Sequence, residues 1–255
     1  DTWLINNKLT LTPGFRIAHY SFTNQFFATP RLAATYSLSK RITLKAAYGK
    51  YYQYVNRIIN ENISEGSRDF WLLADNELVP VSSAHHYVGG ISYETNGWLF
   101  DMEGYYKDLT GLSEFTLRFR TAGTLDPEEL FFSGNGKAQG LEFLIQKKSG
   151  DYTGWVAYTL SKVRNTFEGF NDGRSFPALH DQLHELKIVQ SIDIDRWTLA
   201  SSFIYGSGRP FSEPSGQYSV ELLDGRELQY IGIGDKNGSR MAPYSRLDLS
   251  AHYKV

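Results

Sequence analysis

The sequence predicts an all-β fold, and within that class an antiparallel transmembrane β-barrel. Apolar and polar residues alternate with a period of two along almost the whole chain, and the helical period fails. Short and long connections between the alternating runs take strict turns. One face of nearly every run is aliphatic and aromatic while the other carries charge, the division that hydrocarbon outside and water inside impose.

The runs follow in order from the N-terminus. Trp3 to Ile5 reads as a strand remnant, and Leu9, Leu11, Phe15 and Ile17 make one face around Pro13-Gly14, opposite Arg16. Leu32, Ala34, Tyr36 and Leu38 oppose Arg31, Ala33, Thr35 and Ser37; beyond Ser39-Lys40-Arg41, Ile42, Leu44, Ala46 and Tyr48 oppose Thr43, Lys45, Ala47 and Gly49. Tyr87, Gly89, Ile91 and Tyr93 lead through Thr95-Asn96-Gly97 to Trp98, Phe100, Met102 and Tyr106, with Asp101, Glu103, Tyr105 and Lys107 on the reverse face. Asn-Gly between two alternating runs is the strongest short hairpin signal. Leu141, Phe143 and Ile145 oppose Glu142 and Gln146, and a turn at Ser149 to Tyr152 precedes Val156, Tyr158 and Leu160. Leu186, Ile188 and Ile192 alternate with Glu185, Lys187 and Ser191, and the turn Asp193 to Arg196 leads to Trp197, Leu199, Phe203 and Tyr205. In the last run Leu247, Leu249, Ala251 and Tyr253 oppose Arg246, Asp248, Ser250 and His252. Counting the remnant, this gives about 10–11 long strands.

Composition agrees. Among 255 residues, 26 basic and 28 acidic side chains nearly cancel, so no global field draws the chain onto nucleic acid and no nucleic-acid partner is expected. The longest apolar run, Phe70-Trp71-Leu72-Leu73-Ala74, falls short of the roughly 20 residues of a spanning helix, but a spanning strand needs only about 9–11 alternating ones. The 17 Tyr, 16 Phe, 5 Trp and 23 Gly suit strands and turns. Cysteine is absent, which removes disulfide frameworks and thiolate zinc sites and suits passage through an oxidising periplasm. The chain opens on Asp1 without a signal peptide and is expected to be mature or excised from something longer.

Connections near residues 39, 96, 150 and 194 are tight, while those at 21–29, 55–83, 112–134, 163–182 and 207–243 are long and rich in charge and turn residues. A soluble sandwich has no reason to gather its long loops at one end; a barrel with short periplasmic turns and long extracellular loops does. Arg16, Arg31, Lys45, Asp101, Glu103, Glu142, Lys187, Arg246 and Asp248 occupy the non-apolar faces. In a dry core such charges are costly, and in a water-filled or plugged lumen that cost largely disappears. Tyr51, Tyr52, Tyr54, Trp98, Tyr152, Trp197, Tyr205 and Tyr244 stand at strand ends, as interfacial girdles do. The competing reading takes the charged faces as ordinary solvent faces of a soluble sheet.

Several phrases carry a family resemblance. They are Leu9-Thr10-Leu11-Thr12-Pro13-Gly14-Phe15-Arg16, Pro30-Arg31-Leu32-Ala33, Tyr48-Gly49-Lys50-Tyr51-Tyr52-Gln53 and Ala84-His85-His86-Tyr87-Val88-Gly89-Gly90. In the same order follow Glu103-Gly104-Tyr105-Tyr106-Lys107, Gly134-Asn135-Gly136-Lys137-Ala138-Gln139-Gly140-Leu141-Glu142-Phe143, Ala157-Tyr158-Thr159-Leu160-Ser161 and Asp181-Gln182-Leu183-His184. Together the chain resembles the C-terminal part of the β-barrel of a TonB-dependent outer-membrane receptor of the Bacteroidota type, over essentially residues 1–255. The resemblance implies a barrel of about 22 strands, of which this would be roughly half, with the plug domain and final strand or strands absent. It further implies a Gram-negative outer-membrane location and binding of a scarce nutrient (siderophore-iron, vitamin or glycan) with energy-coupled entry into the periplasm. The implied partners are the protein's own plug domain, the TonB energy-coupling protein through the missing N-terminal part, and outer-membrane lipid; the family also allows a surface lipoprotein. A passive porin-like barrel and a soluble β-sandwich carbohydrate-binding protein are the alternatives.

No enzyme is expected. His180-Asp181-Gln182-Leu183-His184 has the spacing of a zincin motif with Asp replacing Glu, but the following residues alternate with period two, and on a strand the two imidazoles lie about 13 Å apart. His85-His86 point to opposite faces of a strand. Asp126, Glu128 and Glu129 beside Pro127 suit the first turn of a short loop helix. No nucleophile elbow or phosphate loop is present, and no cofactor or metal is expected. Phe70, Trp71, Phe131, Phe132 and Tyr218 lie in the long loops, where large rings can stack on a ligand; they equally suit packing the loops on one another. The charged lumen-facing set is expected to hold the plug.

Overall fold

In a strand, parity alone decides which face a residue occupies, so register converts the sequence pattern into two surfaces. The computed structural model describes residues 1–60, 68–115 and 130–254. The strands are β1 (Trp3–Leu4), β2 (Leu9–Tyr20), β3 (Gln25–Ser37), β4 (Ile42–Gln53), β5 (Val55–Asn60), β6 (Arg68–Leu73), β7 (Ser82–Thr95), β8 (Trp98–Phe115) and β9 (Phe131–Lys147). They continue as β10 (Tyr152–Phe167), β11 (Phe176–Pro177), β12 (His184–Ile194), β13 (Trp197–Gly206), β14 (Pro210–Phe211), β15 (Pro214–Glu221), β16 (Glu227–Ile233), β17 (Ser239–Arg240) and β18 (Tyr244–Tyr253). One antiparallel sheet of 12 strands runs β1-β2-β3-β4-β7-β8-β9-β10-β12-β13-β18, with β11 attached to β10. β1 and β11 are two-residue segments, which leaves ten long strands. The sheet does not close on itself and is part of a barrel wall.

Local chemistry sets the turns at one end. Asn96 and Gly97 both take positive φ, 48° and 76°, so the hairpin closes on the Thr95 and Trp98 pair with a twist that suits its strands. The Ser39 hydroxyl accepts the N–H groups of Arg41 and Ile42 at 3.2 and 3.1 Å and caps the β3–β4 turn. Pro13 sits in β2 past the short pairing with β1, where β2 has no second neighbour and a missing donor costs nothing. Near the other end Gly111 (φ 70°) forms a bulge between β8 and β9, and its carbonyl accepts the Ser82 hydroxyl at 2.6 Å.

The long connections at that other end carry the smaller hairpins β5–β6, β14–β17 and β15–β16. The segment at 21–29 is a correction to the sequence reading. β2 pairs with β3 as far as Tyr20 and Gln25, so only residues 21–24 are turn. Gln25-Phe26-Phe27-Ala28-Thr29-Pro30 lacks clean alternation, and it is cross-strand pairing that extends the strand through it. Asp126, Glu128 and Glu129, and the loop tip at 61–67, lie outside the described residues.

The sheet encloses little core of its own. Phe15, Ile17, Phe26, Leu44, Ile91, Phe100, Phe143, Leu199, Leu247 and Leu249 are all exposed, and register puts every one of them on the same face. An apolar band of that extent fits lipid contact and is a liability in water. Tyr48, Tyr87 and Tyr106 stand side by side on it, with ring centroids 5.2 and 6.3 Å apart, and Trp98, Tyr152 and Trp197 mark the short-turn end. The buried core is at the loop end, where Phe167, Phe170 and Phe176 pack with Leu112 and Phe132.

Candidate functional site

Arg16, Arg31, Lys45, Asp101, Glu103, Glu142, Lys187, Arg246 and Asp248 all fall on the face opposite the apolar band. Lys45 of β4 bridges Asp101 at 2.7 Å and Glu103 at 2.8 Å on β8, two strands away. It can do so because its β7 neighbour is Gly90, where a Cβ would stand 2.8 Å from the Glu103 Cγ. Ser92, also on β7, donates its hydroxyl to Asp101. Glu142 stands directly opposite Glu103, so Lys45 also offsets a like-charge pair. Further round the wall, Lys187 pairs with Glu185 at 2.9 Å and Arg246 with Asp248 at 2.9 Å. The Arg31 guanidinium lies 4.9 Å from the centre of the Tyr51 ring.

The long connections are tied to one another above this face. Asp181 is 1% exposed, accepts the Val163 N–H at 2.6 Å and pairs with Arg240 of β17. Asn171 accepts the Lys236 N–H at 2.7 Å, and the Asn237 amide donates to the Pro177 carbonyl at 2.8 Å. The Lys236 ammonium, itself buried, reaches Glu114 at 3.3 Å. The segments 168–183 and 207–243 are thus clasped to each other and to the end of β8. The connection through 54–81 has its own fastening. Asp75 Oδ1 accepts the N–H groups of Glu77, Leu78 and Val79, each at 2.9 Å. Burial alone raises the Asp75 carboxyl, but the N–H groups of Val79, Glu77 and Leu78 outweigh it and hold its pKa below the usual value. The Tyr20 hydroxyl donates to the Ala74 carbonyl at 2.9 Å, fixing this connection to the end of β2.

Between the clasped loops and the charged face lies a cleft of about 600 Å³, lined among others by Tyr51, Gln53, Asn56, Arg57, His86 and His180. A second cleft of about 460 Å³ shares His86 and His180 and adds Tyr105, Lys107, Gln182 and Glu185. The two form a polar passage with aromatic walls along the inside of β7, β8 and β10.

The sequence-predicted loop aromatics divide. Phe70 meets Phe115 edge-on at 5.5 Å, Phe131 meets Phe115 at 5.1 Å, and Phe132 meets Phe170 at 4.8 Å. These rings belong to the packing that holds the loops. Trp71, 66% exposed, and Tyr218, 57% exposed, project from the hairpins β5–β6 and β15–β16. Of the histidines, His184 stands on β12 with Nδ1 2.8 Å from the Tyr158 hydroxyl, while His180 lies in the preceding turn on the cleft. His85 and His86 face opposite sides, His85 within 3.0 Å of the Tyr48 hydroxyl and His86 against Tyr51.

A family model described as TonB dependent receptor-like, beta-barrel matches residues 1–255. The chain belongs to the TonB-dependent receptor β-barrel family. Solved structures share the fold. Against the ferripyoverdine receptor of the outer membrane of Pseudomonas aeruginosa the TM-score is 0.65 at 14% identity, covering 100% of this chain and 31% of that one. Against the siderophore receptor PirA from Acinetobacter baumannii it is 0.64 at 13% identity, covering 99% and 38%. Against the FrpB iron transporter from Neisseria meningitidis it is 0.61 at 12% identity, covering 98% and 36%. The chain therefore spans about a third of the length of these proteins. A comparison with curated protein sequences finds no match.

Within a TonB-dependent receptor barrel, the two faces have distinct surroundings, and the clasped loops stand at the wide-connection end. Sequence reasoning put Lys107 on the face of Asp101 and Glu103, but missed that it meets His86 and His180 at one cleft. Their signal is only inward parity near a long loop. It also missed the Asp181–Arg240 clasp, whose partners are 59 positions apart.

Proposed function

We propose that residues 1–255 form the C-terminal part of the barrel of an outer-membrane active-transport receptor from a Gram-negative bacterium. The receptor binds a scarce nutrient outside and admits it to the periplasm when TonB, acting through the N-terminal part of the whole protein, displaces the plug. The observation that carries this reading is the polar, aromatic-walled passage beneath loops that are already fastened together, because a pre-ordered mouth binds without first having to be assembled. Trp71 and Tyr218 meet the ligand first, and Phe70, Phe131 and Phe132 hold the loops that present them. Arg57, the cross-strand neighbour of Trp71 and paired with Asp69, stands at the same rim, and His86 and His180 offer ring nitrogens deeper in.

A siderophore–iron complex is the first ligand class to test, ahead of a vitamin or a glycan. Supporting it are the fold shared with the ferripyoverdine and PirA siderophore receptors and the rings of Tyr51 and Tyr52 in the cleft wall, which suit stacking on a bulky ligand. The charged face serves the plug. Lys45, Asp101, Glu103 and Glu142 form a patch that a polar domain can contact and leave without stripping an apolar surface of cover.

The test is uptake by whole cells lacking the full-length gene, with and without dissipation of the inner-membrane proton gradient. Loss of ferric-siderophore, vitamin or glycan accumulation, restored by the gene and abolished by the uncoupler, supports the reading and names the class. Restoration that survives the uncoupler indicates a passive pore and refutes energy coupling.

A further inference from the structure

The wall carries a break that the transport reading does not use. The β3–β4 ladder ends at Arg31 opposite Gly49, although β3 reaches back to Gln25 and β4 runs on to Gln53. Beyond that rung Gln25 to Pro30 pair only with β2, as far as Tyr20, and Lys50 to Gln53 pair only with β7, as far as Ser82. Backbone parity explains the stop. Ser37 donates its N–H to the Lys8 carbonyl, so odd-numbered β3 residues turn their backbone groups to β2 and even-numbered ones, Pro30 among them, to β4. The Arg41 carbonyl accepts the Glu94 N–H, so even-numbered β4 residues turn theirs to β3. Pro30 has no N–H to give where the next rung would form. Phe26 and Ala28 on one side, and Lys50 and Tyr52 on the other, thus line two strand edges that share no ladder over about 20 Å of β3.

Side chains fill the seam instead. Phe27 lies 4.8 Å from Tyr52 and 5.3 Å from Tyr54 between ring centroids, and Tyr54 stacks on Tyr20 at 4.9 Å. Apolar contact is non-directional, so rings slide where a hydrogen-bonded ladder would hold register. On its other side the tip is firmly held. The buried Thr29 donates its hydroxyl to the Arg16 carbonyl at 3.1 Å, Tyr20 reaches the Ala74 carbonyl, and the Asn76 amide donates to the Gln25 side chain at 2.8 Å. Tyr51, Tyr52 and Gln53, on the β4 edge of the seam, wall the cleft of about 600 Å³. We infer that the β2–β3 tip, residues 17–29, is a leaf hinged at Pro30 that swings from β4 and opens this cleft sideways, through the wall. The turn at 74–79 travels with the leaf, whereas the β5–β6 hairpin stays on β8 through Phe70 and Phe115. The leaf serves any cargo, because its freedom comes from the ladder and not from the ligand.

The experiment is hydrogen exchange resolved to single amides in the full-length receptor in mild detergent. In the wild type the amides of Phe26, Ala28 and Tyr52 are expected to exchange about tenfold faster than those of Phe27, Thr29 and Tyr51, which face paired strands. Protection of the two sets within about twofold of each other overturns the proposal. Pro30→Val restores the missing donor and is expected to slow the Lys50 amide about tenfold; no slowing shows that the seam does not end at Pro30 for want of an N–H, and overturns the hinge. A staple across the same rung, Pro30→Cys/Lys50→Cys in a protein freed of other cysteines, is expected when oxidised to slow Ala28 and Tyr52 about tenfold, and to release them on reduction. Access to the cleft is read on the same oxidised protein by diethylpyrocarbonate. Modification of His86, in the cleft, is expected to fall about fivefold below wild type while that of His85, on the outer face, is unchanged. Equal modification of His86 in stapled and wild-type protein overturns the opening of the cleft through the wall.

Discussion

Replacing Arg240 by Met tests whether the loops at the mouth are fastened through Asp181. Asp181 is 1% exposed and keeps the Val163 N–H after the substitution, but it loses the guanidinium that neutralises it. Stripping one partner from a fully buried pair costs about 3–5 kcal/mol. Arg240 is 38% exposed, so water reaches part of the vacated space and the cost falls to about 2 kcal/mol. That loss falls on the local opening of the clasp, because the ten long strands are joined by ladders that do not involve it. Amide exchange in 168–183 and 236–241, and at the Val163 N–H that Asp181 accepts, is therefore expected to quicken about thirtyfold in the full-length receptor, with β8 and β9 unaffected. Adding Asp181→Asn removes the stranded charge while keeping an acceptor for Val163, and should recover most of the protection. Exchange in Arg240→Met within about twofold of wild type would refute the clasp. So would a double variant less protected than the single one.

Lys45→Met leaves Asp101, Glu103 and Glu142 facing one another, and should destabilise the barrel by about 1–3 kcal/mol in urea unfolding from lipid vesicles. Adding Asp101→Asn and Glu103→Gln should return most of it, and no recovery would show that the charges are not coupled. Gly90→Leu should be worse than Gly89→Leu in the same assay, because the Cβ at Gly90 meets Glu103 Cγ and the Met102 carbonyl oxygen at 2.8 Å while that at Gly89 meets nothing. Asp75 has a lowered pKa in the fold, so its contribution is complete above the unfolded value of about 3.9 and is lost as pH falls through the folded value. Exchange protection of 75–79 should accordingly fall in acid for wild type and be low and flat with pH for Asp75→Ala. A wild-type profile as flat as that of the variant would contradict this.

The alternation, the Asn96-Gly97 hairpin and the segregation of Lys45, Asp101 and Glu103 from Phe100 and Met102 were legible from residue order because parity is a local property of a strand. The same parity put Tyr48, Tyr87, Tyr106 and Tyr158 on the apolar face, but did not show their alignment as an outer aromatic row. Tyr48, Tyr87, Tyr106 and Tyr158 lie well inside their strands, since β4, β7, β8 and β10 continue past them toward the loops; the sequence pointed instead to rings at strand ends such as Tyr51, which turns inward onto Arg31 and His86. The site was less legible still. Phe131 and Phe132 look alike in the sequence with Trp71 and Tyr218, and only tertiary packing separates rings that hold the loops from rings that project. Asp181–Arg240 and Lys236–Glu114 join segments far apart in the chain, and no local pattern encodes such pairs.

The central claim is that this chain is barrel wall with its long connections outside the cell and its tight turns in the periplasm. Because the chain has no cysteine, single cysteines can be placed in it cleanly, within a full-length protein freed of any others. The deciding measurement is labelling in intact cells by a maleimide on a polymer too large for outer-membrane pores. Leu223→Cys, at the fully exposed tip of the β15–β16 hairpin, should react in intact cells, and Asp195→Cys, in the β12–β13 turn, only after the outer membrane is permeabilised. Labelling of Asp195→Cys on intact cells with Leu223→Cys protected, or equal labelling of both in a soluble fraction, would contradict the account.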